Sequence, residues 1–179
     1  MRFQLLLTFI SFFLASFSAV LAAPSKHPFE KREDKCPSLE TLVDFVGDKG
    51  FGENTVFYTY PGKDSEAVKF AKTECNSKTF VDLTKDMKYI NWMKECAADA
   101  TARKQLFRRA SQAMARKATG VAFLILPKGA VPDKTSVWWE VEYPELLRRN
   151  IGVIGVTPGP GDAKKWDWYE YDPAEKPST

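Results

Sequence analysis

Histidine is nearly absent from this chain of 179 residues: the single one, His27, stands in a stretch with the marks of a processed leader. Without imidazole the folded domain cannot build a Ser/His/Asp triad, a Cys/His dyad, a two-histidine ribonuclease or a histidine-bound zinc site. Any chemistry must run on carboxylates, Lys, Arg, Tyr or hydroxyls, and no metal is expected. Cysteine is scarce too. Cys36, Cys75 and Cys96 are the three in the chain, an odd number that in an oxidising compartment predicts one disulfide and one free thiol. The sequence leaves the pairing open and favours a bridge that includes Cys96. Internal repeats are missing, and after the N-terminus no second long apolar run occurs, so no membrane span is expected in the product.

The one long apolar run opens the chain. Residues 1–22, MRFQLLLTFISFFLASFSAVLA, carry one early Arg, a Leu/Phe-rich stretch and small residues at Val20 and Ala22, the pattern of a secretory signal. Residues 23–32 end in Lys31-Arg32, a dibasic pair of the kind cut by processing proteases, so a propeptide is expected and the mature chain is expected to span 33–179. About 147 residues remain, one domain by the usual size. The expectation is a secreted, extracellular protein. Removing Arg2, Lys26, Lys31 and Arg32 against Glu30 takes 26 basic and 23 acidic side chains to 22 of each. A near-neutral domain is not expected to bind nucleic acid. Charge is nonetheless uneven, since ARKQLFRRASQAMARK holds six basic residues and no acid.

Apolar spacing after Ser38 predicts a short amphipathic helix in SLETLVDFVGDKG. NTVFYTY reads as a strand ended by Pro61-Gly62, DSEAVKFAKTE as a helix and KTFVDL as a second short strand. MKYINWMKECAADA and ARKQLFRRASQAMARKA read as helices. VAFLILP and IGVIGV are continuous apolar runs of strand length, as expected of strands buried on both faces of a parallel sheet. ELLRRN is a short helix or turn, and the C-terminal tail from Thr157 reads as a Gly/Pro loop leading into a flexible end. Together these predict an α/β fold: a small single domain with a mostly parallel sheet of about four strands and flanking helices.

SVWWEVEYPEL, residues 136–146, poses the functional question. Read with period 2 it is a strand that Pro144 ends, with Val137, Trp139, Val141 and Tyr143 on a core face and Ser136, Trp138, Glu140 and Glu142 on the other. An indole and two carboxylates would then face solvent or a ligand together. A histidine-free glycosidase using Glu140 and Glu142 is disfavoured, because two carboxylates about 7 Å apart on one strand face cannot flank a substrate from opposite sides.

The order of TVFYTY, TFVDLT, FRRASQAMARKATGVAFLILPKG and SVWWEVEYPEL resembles the ADP-ribosyl cyclase and NAD glycohydrolase family, including its minimal secreted, toxin-like members, over about residues 54–157. The resemblance implies that Glu142 is the catalytic glutamate, that Ser111 contacts the nicotinamide ribose or the phosphates, and that Ser136 lies near the diphosphate. It also implies Phe107 and Tyr58 as aromatic walls and places Asp82 in the family's T-x-x-D segment. Two positions depart from the pattern: Val81 stands where the family has an acid before the Asp, and Phe107 where it has Trp. Hydrolysis is therefore expected over cyclisation, with NAD as substrate rather than cofactor. The alternative is a non-catalytic secreted effector of the same fold that binds a host target protein.

The chemistry suits a domain without histidine. Cleaving the N-glycosidic bond of NAD expels neutral nicotinamide from a cationic ring, so the leaving group needs no general acid. One carboxylate beneath the anomeric carbon can stabilise the oxocarbenium-like transition state. Aromatic walls, with Trp138 among the candidates, hold the flat ring. Arg108 and Arg109, in the basic helix around Ser111, are candidates for the diphosphate. A carboxylate at its ordinary pKa of about 4.3 predicts an acid limb near that value, moved upward by burial beside Trp138.

Overall fold

Ser38 starts helix α1 (Leu39–Asp48), its hydroxyl accepting from the Thr41 N–H at 3.1 Å. The computed structural model describes residues 36–59, 63–127, 129–159 and 166–172, all within the unit Asp34–Thr179. The leader, His27, the Pro61-Gly62 turn and the glycine-rich part of the tail lie outside the described residues. Strand β1 (Val56–Tyr58) is followed by helix α2 (Asp64–Phe70), which runs on through a wider π turn, Ala71–Cys75. Helices α3 (Phe80–Thr84), α4 (Met87–Glu95) and α5 (Ala100–Lys117) lead to β2 (Val121–Ile125). A second π turn, Trp138–Glu142, opens α6 (Tyr143–Arg148), and β3 (Gly152–Pro158) and β4 (Trp166–Glu170) complete the sheet.

The sheet order is β1-β2-β3-β4, with the first three strands parallel and β4 antiparallel to β3. This is the expected mostly parallel sheet. Strand β2 shows why its apolar run is unbroken. Ala122, Leu124 and the following Leu126 face the core built on α1 and α5, while Phe123 and Ile125 face a second core with Ala67 and Phe70 of α2. Both faces are covered, so both parities of the strand are apolar.

Three segments differ from the sequence expectation. KTFVDL is not a strand but helix α3, because Thr79 and Asp82 form a capping box: the Thr79 N–H and hydroxyl donate to the Asp82 carboxylate at 2.9 and 3.1 Å. Residues 138–148 are not a strand ended by Pro144 but a continuous helical segment, in which the π turn Trp138–Glu142 runs straight into α6 and Pro144 is the second residue of α6. The aromatic and β-branched side chains of VWWEVEY favour a strand locally, but here tertiary packing decides. Trp138 and Trp139 are both buried, which a period-2 segment with one solvated face does not allow. The tail, finally, is not flexible over Trp166–Glu170, which form β4. Trp166 and Trp168 pack on Phe70 with ring centroids at 5.0 and 5.3 Å.

Gly155 anchors that last strand. It pairs with Tyr169 across the ladder, and a Cβ at 155 would overlap the Tyr169 ring. Gly155→Ala should therefore cost about 1–3 kcal/mol in denaturant unfolding, as overpacking does. Combining it with Tyr169→Ala should cost clearly less than the two single losses added together, and simple additivity would show that the ring is not what Gly155 accommodates.

Candidate active site

Beyond the end of β1, the chain, helix α5 and the residues leading into α6 enclose a cleft of about 370 Å³. Such a position outside the carboxyl end of a parallel strand is where open α/β sheets hold ligands. Glu142, Tyr58, Phe107, Ser111, Ser136 and Trp138 all line it. Residues far apart in the chain are thus brought together by three elements: Tyr58 by β1, Phe107 and Ser111 by successive turns of α5, and the others by the second π turn and its approach.

Glu142 is 7% exposed and Ser111 2%. Burial pushes the Glu142 carboxyl up to about 8, while the hydrogen bond from the Ser111 hydroxyl pulls the other way. Strongly shifted carboxyls inside clefts cluster at functional sites, which makes Glu142 the candidate here. The helical geometry also separates the two glutamates of the segment. Trp138 and Glu142 are one turn apart and share the cleft, whereas Glu140 points out and pairs with Arg108. Period 2 puts 138 and 142 together only because four is a multiple of two, and the same period places Glu140 wrongly.

Arg108 accordingly does not line the cleft. It bounds a separate groove with Arg109, Glu140 and Arg148 on the other side of α5. Asp82 is also outside the lining, its carboxylate taken up by the Thr79 cap. Its charge still reaches Tyr58, whose hydroxyl is pushed up to about 12 by burial first and then by Asp64, Glu142 and Asp82.

The sequence matches no protein-family model and no curated protein. The chemistry open to the cleft is set by its own groups. Phe107, 43% exposed, stands against Phe80 at a centroid distance of 4.5 Å. Trp138 is fully buried against Phe57, and its indole N–H donates to the Tyr171 hydroxyl at 3.0 Å. The residue after β4 thereby fixes the orientation of a cleft wall. Phe80, Met114, Thr59 and Thr135 also contribute to the lining. Sequence reasoning missed Phe80 and Tyr171 because one was placed in a strand and the other in a flexible tail; the signal for the first was the T-x-x-D capping pattern.

Among the described residues no group of three or more His, Cys, Asp or Glu could hold a metal ion, and no helix is long and apolar enough to cross a membrane. Cys36 and Cys96 form a disulfide, and Cys75 is free. Burial and the neighbouring Glu74 push the Cys75 thiol up to about 11, so it stays protonated and poorly nucleophilic near neutrality.

Proposed function

We propose that the protein is a secreted NAD glycohydrolase similar to the ADP-ribosyl cyclase and NAD glycohydrolase family, with Glu142 as the transition-state stabiliser. The observation that carries this reading is a buried carboxyl at the floor of an aromatic cleft, held by Ser111 and accompanied by no other acidic lining residue among those described. A pyridinium ring brings a positive charge that such a site otherwise lacks. The C1′–N1 bond breaks, its electron pair neutralises the departing nicotinamide, and the Glu142 carboxylate stabilises the cationic ribosyl group. Water adds at C1′ and releases a proton, giving ADP-ribose and nicotinamide. The aromatic walls hold the ring in a reactive pose.

The experiment is to incubate the protein with NAD and measure nicotinamide release as a function of pH. The free carboxyl, at about 8, is mostly protonated at neutral pH, whereas the mechanism needs it ionised. On the acid side kcat/KM should therefore fall about tenfold per pH unit below about 8. A bound cation favours the ionised form, so the limb in kcat should lie at lower pH than that in kcat/KM. Tyr58 and Cys75 titrate too high to add a limb in this range. A kcat/KM that is flat from weakly acidic to weakly alkaline pH would take Glu142 out of the mechanism. No release at any pH would leave the non-catalytic effector.

A further inference from the structure

Among the described residues lining the cleft, none is Lys or Arg, and Glu142 is the one carboxylic acid. The cations nearest in sequence are committed elsewhere. Arg108 pairs with Glu140, and the Arg109 guanidinium donates to the Pro37 carbonyl at 3.2 Å. Ser111 lies in the middle of α5, so the N-terminal amides of that helix do not open on the cleft. At the mouth, Thr135 donates through its N–H and hydroxyl to Asp133 at 2.7 and 2.5 Å, which holds that carboxyl below its ordinary range and places a negative charge beside the opening. Lys134, exposed next to it, does not line the cleft, and its charge is felt by the same Asp133. At the start of the helical segment the Glu140 N–H makes the first intrahelical bond, to the Ser136 carbonyl at 3.1 Å, and the Trp139 N–H lies 3.5 Å from the Ser136 hydroxyl, while Val137 and Trp138, which precede them, line the cleft.

A diphosphate is recognised by cations, free helix-start amides or both. Here the described lining offers hydroxyls and the helix-start residues Val137 and Trp138, with an anion nearby and no cation among them. The cavity, at about 370 Å³, also lies at the small end of ligand clefts and has room for a nucleoside-sized group. We infer that the site selects the pyridinium riboside and is indifferent to the group carried on the 5′ oxygen, so that its substrate class is nicotinamide nucleosides at large, with nicotinamide riboside cleaved about as well as NAD. This specificity rests on the glycohydrolase reading of the same cleft. The balanced step is unchanged: the C1′–N1 bond breaks, the electron pair leaves on the nicotinamide nitrogen, and water supplies the oxygen at C1′ and releases one proton, giving free ribose from the riboside.

The test compares kcat/KM of the protein for NAD, nicotinamide mononucleotide and nicotinamide riboside near pH 8, at low and at high salt. A charge-assisted phosphate contact is worth about tenfold or more in binding. The expected result is that the riboside stays within about tenfold of NAD and that its disadvantage does not narrow as salt rises. A riboside more than about tenfold poorer, or a ratio that narrows as salt rises, would overturn the inference while leaving the glycohydrolase standing. Release from none of the three would remove the glycohydrolase reading and this inference with it. Arg108→Ala provides a second discriminator: it should affect NAD and the riboside alike or not at all, and a loss confined to NAD would mean that the Arg108 side of α5 reads the diphosphate after all.

Discussion

Glu142→Gln should lose NAD cleavage by about 10²-fold or more while remaining folded, the usual consequence of removing a preorganised charge aimed at the transition state. The same substitution should raise stability at neutral and alkaline pH. In the unfolded chain Glu142 ionises near its ordinary 4.5, and in the fold it holds its proton up to about 8. Between those values the unfolded state has released a proton that the folded state keeps, so the native protein loses stability as pH rises through the window. Glutamine carries no such penalty and can still accept from the Ser111 hydroxyl. The variant should therefore melt a few degrees above the parent at pH 8, with little difference at pH 4.5 and below. Activity loss coupled to a stability gain marks a group whose burial serves function rather than packing. Parental turnover in the folded variant would sink the proposed role. A variant that melts lower at pH 8 would mean that the ionised carboxylate is a structural partner.

Replacing Cys36 and Cys96 together by Ser should cost more stability than Gly155→Ala. The disulfide joins residues 60 apart in sequence, and on the chain-entropy account a loop of that length contributes about 4 kcal/mol. The melting temperature should fall by on the order of 10 °C or more. Function should suffer as well, because the bridge ties the start of α1 to the turn before α5. Leu42 and Phe45 of α1 pack in one core with Leu106 and Ala110 of α5, the helix that carries Phe107 and Ser111 into the cleft. Cys75→Ser provides the contrast: that thiol is free and half-buried, and its loss should cost little. Equal losses from both changes would show that packing at the cysteines, not the cross-link, is what matters.

Much of the fold was legible in the chain. The period of α1 and α5 and the unbroken apolar runs of β2 and β3 reflect burial that each segment must have on its own account: one stripe for a helix lying on a sheet, both faces for a strand between helix layers. An α/β class and the mostly parallel sheet came from these patterns, and the expectation of chemistry without histidine came from composition. The presence of a disulfide could be expected from an odd set of cysteines, but the choice of Cys36 with Cys96 needed the packing of α1 against α5 to bring the two together at a Cα separation of 5.5 Å.

What only the tertiary structure decided is concentrated around the cleft. Residues 138–142 carry strand-forming side chains in a helical turn because two indoles, Trp138 and Trp139, must both be buried against Tyr143 and Tyr171. Residues 166–170 form a strand because Gly155 leaves room for Tyr169 and because Trp166 and Trp168 find Phe70, a helix residue almost a hundred positions away. Neither partner can be read from the segment itself. The same holds for chemistry. A glutamate at 140 and one at 142 are equivalent letters in the sequence, and the turn of the backbone alone sends the first to solvent and Arg108 and the second into a buried place beside Ser111, where burial, not the identity of the residue, raises its pKa.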